Sequence, residues 1–424
     1  MSAPFGLYLG GENIDLESKR TQYLSTLDNI ESGDVFSMSN IRTTGETIIR
    51  SIAVNDGQLY VAGGGYLGIL DKTNTLGPNI IATNIPGQDK GINIYTLTTL
   101  DDELYIGGST TEGKMYLAKL DKNTNKLGNN LFTQNIDGKI EVMTTFNENL
   151  YIGGYTQLRD GGTAGYPNIS IQKYNKQKII DLTLSAPDFV GNKGHIYGMT
   201  IYNNKLYFSG NIAAEGNSYY EPLIIGLSSE DKFGNMLKDP SSYKPEGVGT
   251  DPKFYDMIEY NGKLYAVGHM IVIDANTSTG TDIVKPTQYV STVNPEATNL
   301  NDVYGPNLIQ GGKKGQILSV SVHNNDLYVA GNLYIGGSGT LYIGKLNGNK
   351  IEPIDIKLNN ALVKGTIYTT IDFNKDMIHG DDSGTKVNKT KKMALILGLS
   401  LGLGIPVLGV IIFLMYKYIP RKNN

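Results

Sequence analysis

Seven positions hold the side chains with the most chemical scope: Arg50, Tyr95, Glu141, Tyr197, Tyr255, Leu318 and Tyr368. The first six each stand ten residues before the tyrosine of a repeated Leu-Tyr phrase, and Tyr368 holds the corresponding place for the first phrase, near the other end of the chain. Tyrosine faces stack, while phenols and charges donate and accept hydrogen bonds. Gathered round one opening, such a set would bind a sugar or a peptide. The plainer reading is that tyrosine suits any strand and is abundant here, with 28 in the chain.

Other chemistry is thin. Glu141 and Asp256, with Arg50, would form a hydrolase or lyase centre if the fold set the two carboxylates across a channel. The four histidines, His195, His269, His323 and His379, show no i, i+4 metal spacing and read as satisfied or solvated side chains. Asp274-x-Asn276-x-Ser278-x-Gly280-x-Asp282 has the alternating oxygens of a calcium loop, but its glycine is one place from the EF-hand position, so a polar surface loop is expected. The chain has no Cys, which excludes disulfides, thiolate metal sites and cysteine nucleophiles. No cofactor and no metal are expected. The sequons at Asn168, Asn276 and Asn388 are close to what an Asn-rich chain carries by chance.

The elements that must position these residues are written in the phrase itself. Leu7-Tyr8, Leu59-Tyr60, Leu104-Tyr105, Leu150-Tyr151, Leu206-Tyr207, Leu264-Tyr265 and Leu327-Tyr328 are each followed three residues after the tyrosine by glycine, at intervals of 45–63 residues. Repeats of that length denote a radial or stacked architecture. Six of the tyrosines have Asp or Asn four residues earlier, after an apolar-rich stretch, which predicts strand, tight hairpin, strand. The glycine should mark where the second strand ends or bends. A third strand follows, as in Tyr116–Asp121, Ser170–Tyr174 and Tyr342–Leu346. A less regular fourth is read at Asn79-Ile-Ile-Ala, Asn130-Leu-Phe-Thr and Ile180–Leu184. Four short antiparallel strands per unit describe a β-propeller blade.

The ends set the blade count. The chain begins at a second strand, Leu7–Gly11, followed by a third at Gln22–Asp28 and a fourth at Val35–Met38, and lacks a first strand there. After six complete units, Ile367–Phe373 reads as a first strand. Joining it to the N-terminal unit closes an all-β, seven-bladed propeller over residues 1–374 and removes the exposed edges. In each phrase Leu and the residue after Tyr should face one neighbouring blade and Tyr the other, which makes these seven tyrosines packing residues.

Leu104-Tyr-Ile-Gly-Gly108 and Met115-Tyr-Leu-Ala-Lys-Leu-Asp-Lys-Asn-Thr-Asn-Lys-Leu127 resemble a kelch repeat, the kind found in the central domain of galactose oxidase. The phrase is also similar to repeats of fungal cortical polarity-marker proteins. The kelch tryptophan is Leu127 here, and the double glycine is reduced to Ala-Gly, Ser-Gly or Val-Gly in several units. The resemblance covers residues 7 to about 374. It implies a propeller, and for the polarity markers a membrane-anchored one; it implies no shared activity, because propellers host many. The copper site of galactose oxidase needs a Cys–Tyr crosslink that this chain cannot make.

Charge divides unevenly. Residues 375–424 carry eight Lys/Arg and three Asp, which leaves the body near −9 and the tail +5. An acidic body argues against nucleic acid as a partner. Residues 375–392 are polar and read as a linker. Residues 393–416 run 24 residues without a charge, long enough to span a bilayer as a helix. Gly398-x3-Gly402 in that run would let two such helices pair. Residues 417–424 form a short basic tail. With no signal peptide at the N-terminus, tail anchoring with a cytosolic propeller is expected. The connections at 156–167, 211–221 and 269–287 should emerge on the channel-mouth face, directed away from the membrane, and are the expected contacts for a protein or glycan partner. A non-enzymatic recognition scaffold is the leading expectation. A laterally packing coat component and a channel hydrolase or lyase are the alternatives.

Overall fold

The computed structural model describes residues 6–14, 20–27, 48–71, 76–81, 91–157, 167–182, 193–213, 220–238, 253–273, 284–297, 303–310, 313–335, 338–354, 357–358, 361–362 and 365–373. The chain divides into two compact units, Met1–Gly380 and Asp381–Asn424, and every described residue lies in the first. The expected linker, membrane helix and basic tail, with Gly398 and Gly402, therefore lie outside the described residues, as do Asp274–Asp282, His379 and the expected fourth strand Val35–Met38. Among the described residues no helix is long and apolar enough to cross a membrane.

Seven antiparallel sheets form the blades, beside a two-residue hairpin of Lys357–Leu358 with Ala361–Leu362, and six of the seven use their strands in sequence order from the inside outward. Blade 1 is the shared one: its inner strand, Gly365–Phe373, pairs with Gly6–Ile14, which pairs with Arg20–Thr26. Blades 2 to 7 have inner strands Ser51–Asn55, Ile92–Leu100, Gly138–Phe146, Gly194–Tyr202, Lys253–Tyr260 and Gly315–His323. These inner strands neighbour one another in succession, and that of blade 1 touches those of both blade 7 and blade 2. The ring is a closed seven-bladed propeller.

Packing between blades explains the phrase. Seven apolar clusters fill the seven seams, and each contains the phrase tyrosine of one blade with the phrase leucine of the next. Tyr105, for example, lies with Leu150 and Ile152, and Tyr151 with Leu206 and Phe208. All seven phrase tyrosines are buried. Successive side chains of a strand point to opposite faces, so a Leu-Tyr-Φ triplet (Φ apolar) loads both faces of a blade at once.

Six hairpins join inner and second strands through two-residue turns in the left-handed region, such as Asp101-Asp102, Asn147-Glu148 and Asn261-Gly262. Positive φ at both central residues matches the twist of the flanking strands, and Asn, Asp and Gly tolerate it best.

Two expectations need correction. The phrase glycine ends the second strand only in blade 2, at Gly63; in blades 3 to 7 the strand continues through it to Thr110, Gln157, Ala213, Ile273 and Ile335. The bend is in the partner instead, described below. Nor are Asn79–Ile81 and Asn130–Thr133 strands. One backbone bond remains in each, Ile80 N–H to Leu67 and Leu131 N–H to Leu117, and a side-chain amide supplies the rest. Asn130 Oδ1 accepts from the N–H groups of Leu117 and Phe132, and its Nδ2 donates to the carbonyl of Met115. Asn79 does the same with Leu67, Ile81 and Gly65, and Asn307 with Val290, Ile309 and Gln288. The amide presents one acceptor and one donor side by side, as a strand residue does. In blade 3 the fourth strand is only Lys126–Leu127, and in blade 4 it is Ile179–Asp181.

Candidate binding ring at the bulge face

Six of the seven inner strands carry one residue too many. In blades 3 to 7 and in blade 1 the register shifts across the residues flanking Tyr95, Glu141, Tyr197, Tyr255, Leu318 and Tyr368. Arg50 holds the same place in blade 2, where its N–H donates to Ala62 just ahead of the regular pairing. Six of the seven ring positions are thus β-bulge residues, and a bulge re-aims the side chain it inserts. All seven are partly exposed.

The phrase glycine is the partner of the bulge. A Cβ on Gly11, Gly63, Gly108, Gly154, Gly210, Gly268 or Gly331 would overlap the carbonyl oxygen two residues before the ring position: Thr366, Ile48, Asn93, Lys139, His195, Lys253 or Gln316. The kinked inner strand presses this oxygen onto the neighbouring strand, and only hydrogen fits there. Sequence and function meet at this contact, since the invariant glycine permits the bulge and the bulge presents the variable residue.

The structure brings most of the ring residues into two contiguous groups. In the first, the Arg50 guanidinium lies over the rings of Tyr95 (4.9 Å) and Tyr368 (5.3 Å), and Lys139 Nζ lies 3.5 Å from the Tyr95 centroid. Lys139 also pairs with Glu141 at 3.0 Å, and the Tyr368 hydroxyl donates to Glu12 at 3.1 Å. In the second, His195 stacks on Tyr197 with the rings 6° from parallel, and Tyr197 packs against Tyr255 at 5.3 Å. Tyr155 meets His195 edge-on at 4.5 Å, His269 lies 5.6 Å from Tyr255, and Lys253 sits over Tyr197 at 5.6 Å. Burial pushes the Tyr155 phenol up, opposed by Lys139 and reinforced by Glu141 and Tyr95, so it stays a neutral hydrogen-bond group. Leu318 contributes no aromatic or charged contact.

Sequence reasoning missed Glu12, Lys139, Tyr155, His195, Lys253 and His269 as members of the site. Their signal is positional. Lys139, His195 and Lys253 stand two residues before a ring position; Glu12, Tyr155 and His269 directly follow the phrase glycine. Asn211 and Asn332 share that second position and accept from the N–H groups of His195 and Gln316.

Glu141, Asp256 and Arg50 each have other partners. Glu141 is engaged by Lys139, and Arg50 by two tyrosine rings. Asp256 accepts from Met257 N–H at 2.8 Å on one oxygen, and from Val320 N–H at 3.0 Å and the Ser319 hydroxyl at 3.4 Å on the other. Burial nevertheless pushes its carboxyl up to about 6, because desolvation outweighs the three hydrogen bonds that favour the ionised form. Its role is structural. The residue after the ring position accepts an N–H from the next blade: Ser51 from Leu97, Thr96 from Met143, Asp256 from Val320 and Ser319 from Thr370. An inner strand is an edge strand and has N–H groups without a ladder partner, and these side chains satisfy some of them.

Among the described residues no group of His, Asp and Glu is arranged to hold a metal ion. The connections expected at 156–167, 211–221 and 269–287 are shorter than their boundaries. Strand pairing continues to Gln157 and resumes at Pro167, runs to Ala213 and from Tyr220, and runs to Ile273 and from Val284. What remains of these connections lies outside the described residues.

No family model matches the chain, and no curated protein matches it in sequence. Solved structures do resemble it in fold. One is a protein from Lactobacillus plantarum, 10% identical with a TM-score of 0.48, the likeness covering 87% of this chain and 99% of that one. Another is YjhT, 14% identical with a TM-score of 0.45, covering 72% and 96%. A third is a thermostable family-43 glycoside hydrolase, 13% identical with a TM-score of 0.39, covering 65% and 96%. The seven-blade architecture rests on the strand pairings and not on these likenesses.

Proposed function

We propose that this chain is a membrane-tethered, non-enzymatic recognition module that takes a protein partner at the bulge face of its propeller. The observation that carries the reading is the ring itself: six bulges, with Arg50 in the seventh place, deliver one variable, partly exposed side chain each, and Lys139, His195 and Lys253 join them from the same inner strands. A site on strands is held more rigidly than one on loops. The connections beside the ring extend the surface. The uncharged run at 393–416 supplies the tether, with Gly398 and Gly402 as a point of self-association. The propeller is cytosolic in this reading, and protease treatment of intact cells should leave it undigested.

Photocrosslinking in intact membranes tests the reading. A photoreactive amino acid replaces Leu318, on the ring, or Lys122, which pairs with Asp56 at the hairpin face. Covalent capture of a partner from position 318 and none from position 122 is the expected outcome. Capture from 122 alone, or from neither, overturns it.

A further inference from the structure

At the hairpin face the first residue of each second strand lies beside the end of the third. In blade 3 that residue is Glu103, which pairs with Lys119, and in blade 7 it is Asp326, which pairs with Lys345 at 2.7 Å. Lys119 and Lys345 stand opposite the phrase tyrosines Tyr105 and Tyr328. Blade 6 departs from this at both places: its second strand begins with Lys263, and Thr292 stands opposite Tyr265. The acid has become a base and the base a short alcohol. In blade 5 the lysine at this place, Lys205, reaches Glu296 of blade 6 at 2.8 Å. Lys263 is exposed and forms no ion pair with any described residue.

A cavity of about 310 Å³, open to solvent, is lined by this lysine. Its apolar walls are Tyr202, from the end of the blade 5 inner strand, and Val293, Val303 and Tyr304 of blade 6. The rings are held from behind. Tyr202 packs against Tyr207 at 6.1 Å and its hydroxyl donates to the Gly262 carbonyl at 3.2 Å, while Tyr304 packs against Phe254 at 5.5 Å. The polar lining is the Lys263 ammonium, Thr292 and Asn294, with no carboxylate among the described residues. Asn294 Oδ1 already accepts from the Glu296 N–H, which leaves its Nδ2 as the group to offer a ligand. Donors and one positive charge beside aromatic and branched side chains suit a flat ring that carries a carboxylate: the ring packs on the walls and the carboxylate meets Lys263. The volume is at the low end for small-molecule sites, enough for one ring and too little for an oligosaccharide. We infer that this cavity between blades 5 and 6 binds a small, single-ring aromatic carboxylate, with Lys263 as its charge partner. The site is on the face opposite the ring and does not depend on the recognition reading above.

The test is saturation-transfer NMR, with benzoate titrated onto the full chain in micelles of a non-ionic detergent and protein-free micelles as the blank. Benzamide keeps the ring without the charge, and acetate keeps the charge without the ring. Benzoate should give a saturable signal, and each comparison probe should bind roughly tenfold more weakly or less, the worth of one charge-assisted hydrogen bond or of the ring contact. Lys263→Glu should weaken benzoate by roughly tenfold or more, and Lys263→Arg, which keeps the charge, should retain it. Lys178→Glu, at an exposed position of blade 4 outside the cavity, should leave benzoate binding unchanged. Thermal melts equal to that of the unsubstituted chain would confirm that the variants fold. Benzamide or acetate binding as tightly as benzoate overturns the inference. So does benzoate binding that is the same in Lys263→Glu, or that weakens as much in Lys178→Glu. Absence of a saturable benzoate signal up to about 10 mM, an affinity weaker than roughly 3 kcal/mol, overturns it as well.

Discussion

At the hairpin face six inner strands turn back through two left-handed residues, and the exposed side chains form ion pairs, several of them between blades: Lys122 with Asp56, Lys176 with Asp101, and Lys205 with Glu296. At the opposite end the same strands bulge, Arg50, Lys139 and Lys253 rest on aromatic rings, and the second strands pass into the third. The two faces spend the same residue types differently. Charge at the hairpin face, with exceptions such as Lys263, is neutralised pair by pair, and the backbone there accepts several residue types. Charge at the bulge face is held on rings as well as in pairs such as Lys139 with Glu141 and Lys114 with Asp137, and the backbone there is so tightly packed that one residue type fits. A scaffold that varies its ring residues freely must be rigid directly behind them.

Glycine gives the largest test of that difference. Gly108 faces the Asn93 carbonyl with no space for a Cβ, whereas Gly262, at φ +70° in a hairpin, has nothing within 4 Å of the same point. Gly108→Val should destabilise the propeller by roughly 3 kcal/mol or more, because the obstacle is backbone and cannot rotate away. Gly262→Asn should leave the melt almost unchanged, as Asn tolerates the left-handed region. Similar losses at the two sites in denaturant titrations would break the contrast.

Next come the blade-to-blade bonds behind the ring. Thr96→Val keeps the shape of the side chain but leaves the Met143 N–H without its acceptor, at a cost of about 1–3 kcal/mol. Asn130→Leu should cost a similar amount, because the N–H groups of Leu117 and Phe132 and the Met115 carbonyl lose their partner together.

Much of this was legible from residue types alone, for a physical reason. The seven seams repeat one packing solution, so Leu-Tyr recurs at a readable period and fixes both the blade count and the shared blade. Ring positions could be aligned by counting back from the tyrosine. Their bulges could not, because a bulge leaves its own side chain unconstrained: Arg, Tyr, Glu and Leu all occur there. The constraint falls on the glycine across the ladder, which read as a strand end. Lys139, Lys253 and His195 were invisible as site residues because an offset of two means nothing until the kink that brings it to the ring is known. Asn79 and Asn130 misled in the opposite sense. The apolar residues after them have strand character, but only one backbone bond forms and the amide makes the others.

Asp256 gives a smaller effect with a definite sign. The folded carboxyl keeps its proton to about pH 6, while an unfolded aspartate loses it near pH 4. Between those values the folded state binds more protons, so raising the pH removes stability until the group is ionised in both states. Asp256→Ser substitutes the side chain used at Ser51 and Ser319. Melts of this variant between roughly pH 4 and 6 should lose the downward slope attributable to this position. An unchanged slope would show that Asp256 is not the group responsible.

The smallest effect is expected at the hairpin rim, and its smallness carries information. Lys122 and Asp56 are each about half exposed and lie 3.3 Å apart across two blades. Water screens such a pair, and the entropy of fixing two long side chains offsets much of the attraction. Lys122→Met and Asp56→Asn, alone and together, should therefore shift the melting temperature by amounts near the error of the measurement, with no coupling in the double-mutant cycle. Substitutions at Arg50 or Lys253 should also spare the melt, but they should weaken capture of the partner from position 318. Two charged surfaces, one silent in both assays and the other silent only in stability, would separate a rim that neutralises charge from a ring that uses it. A strongly coupled Lys122–Asp56 pair would instead make the rim a structural seal and remove the distinction between the two faces.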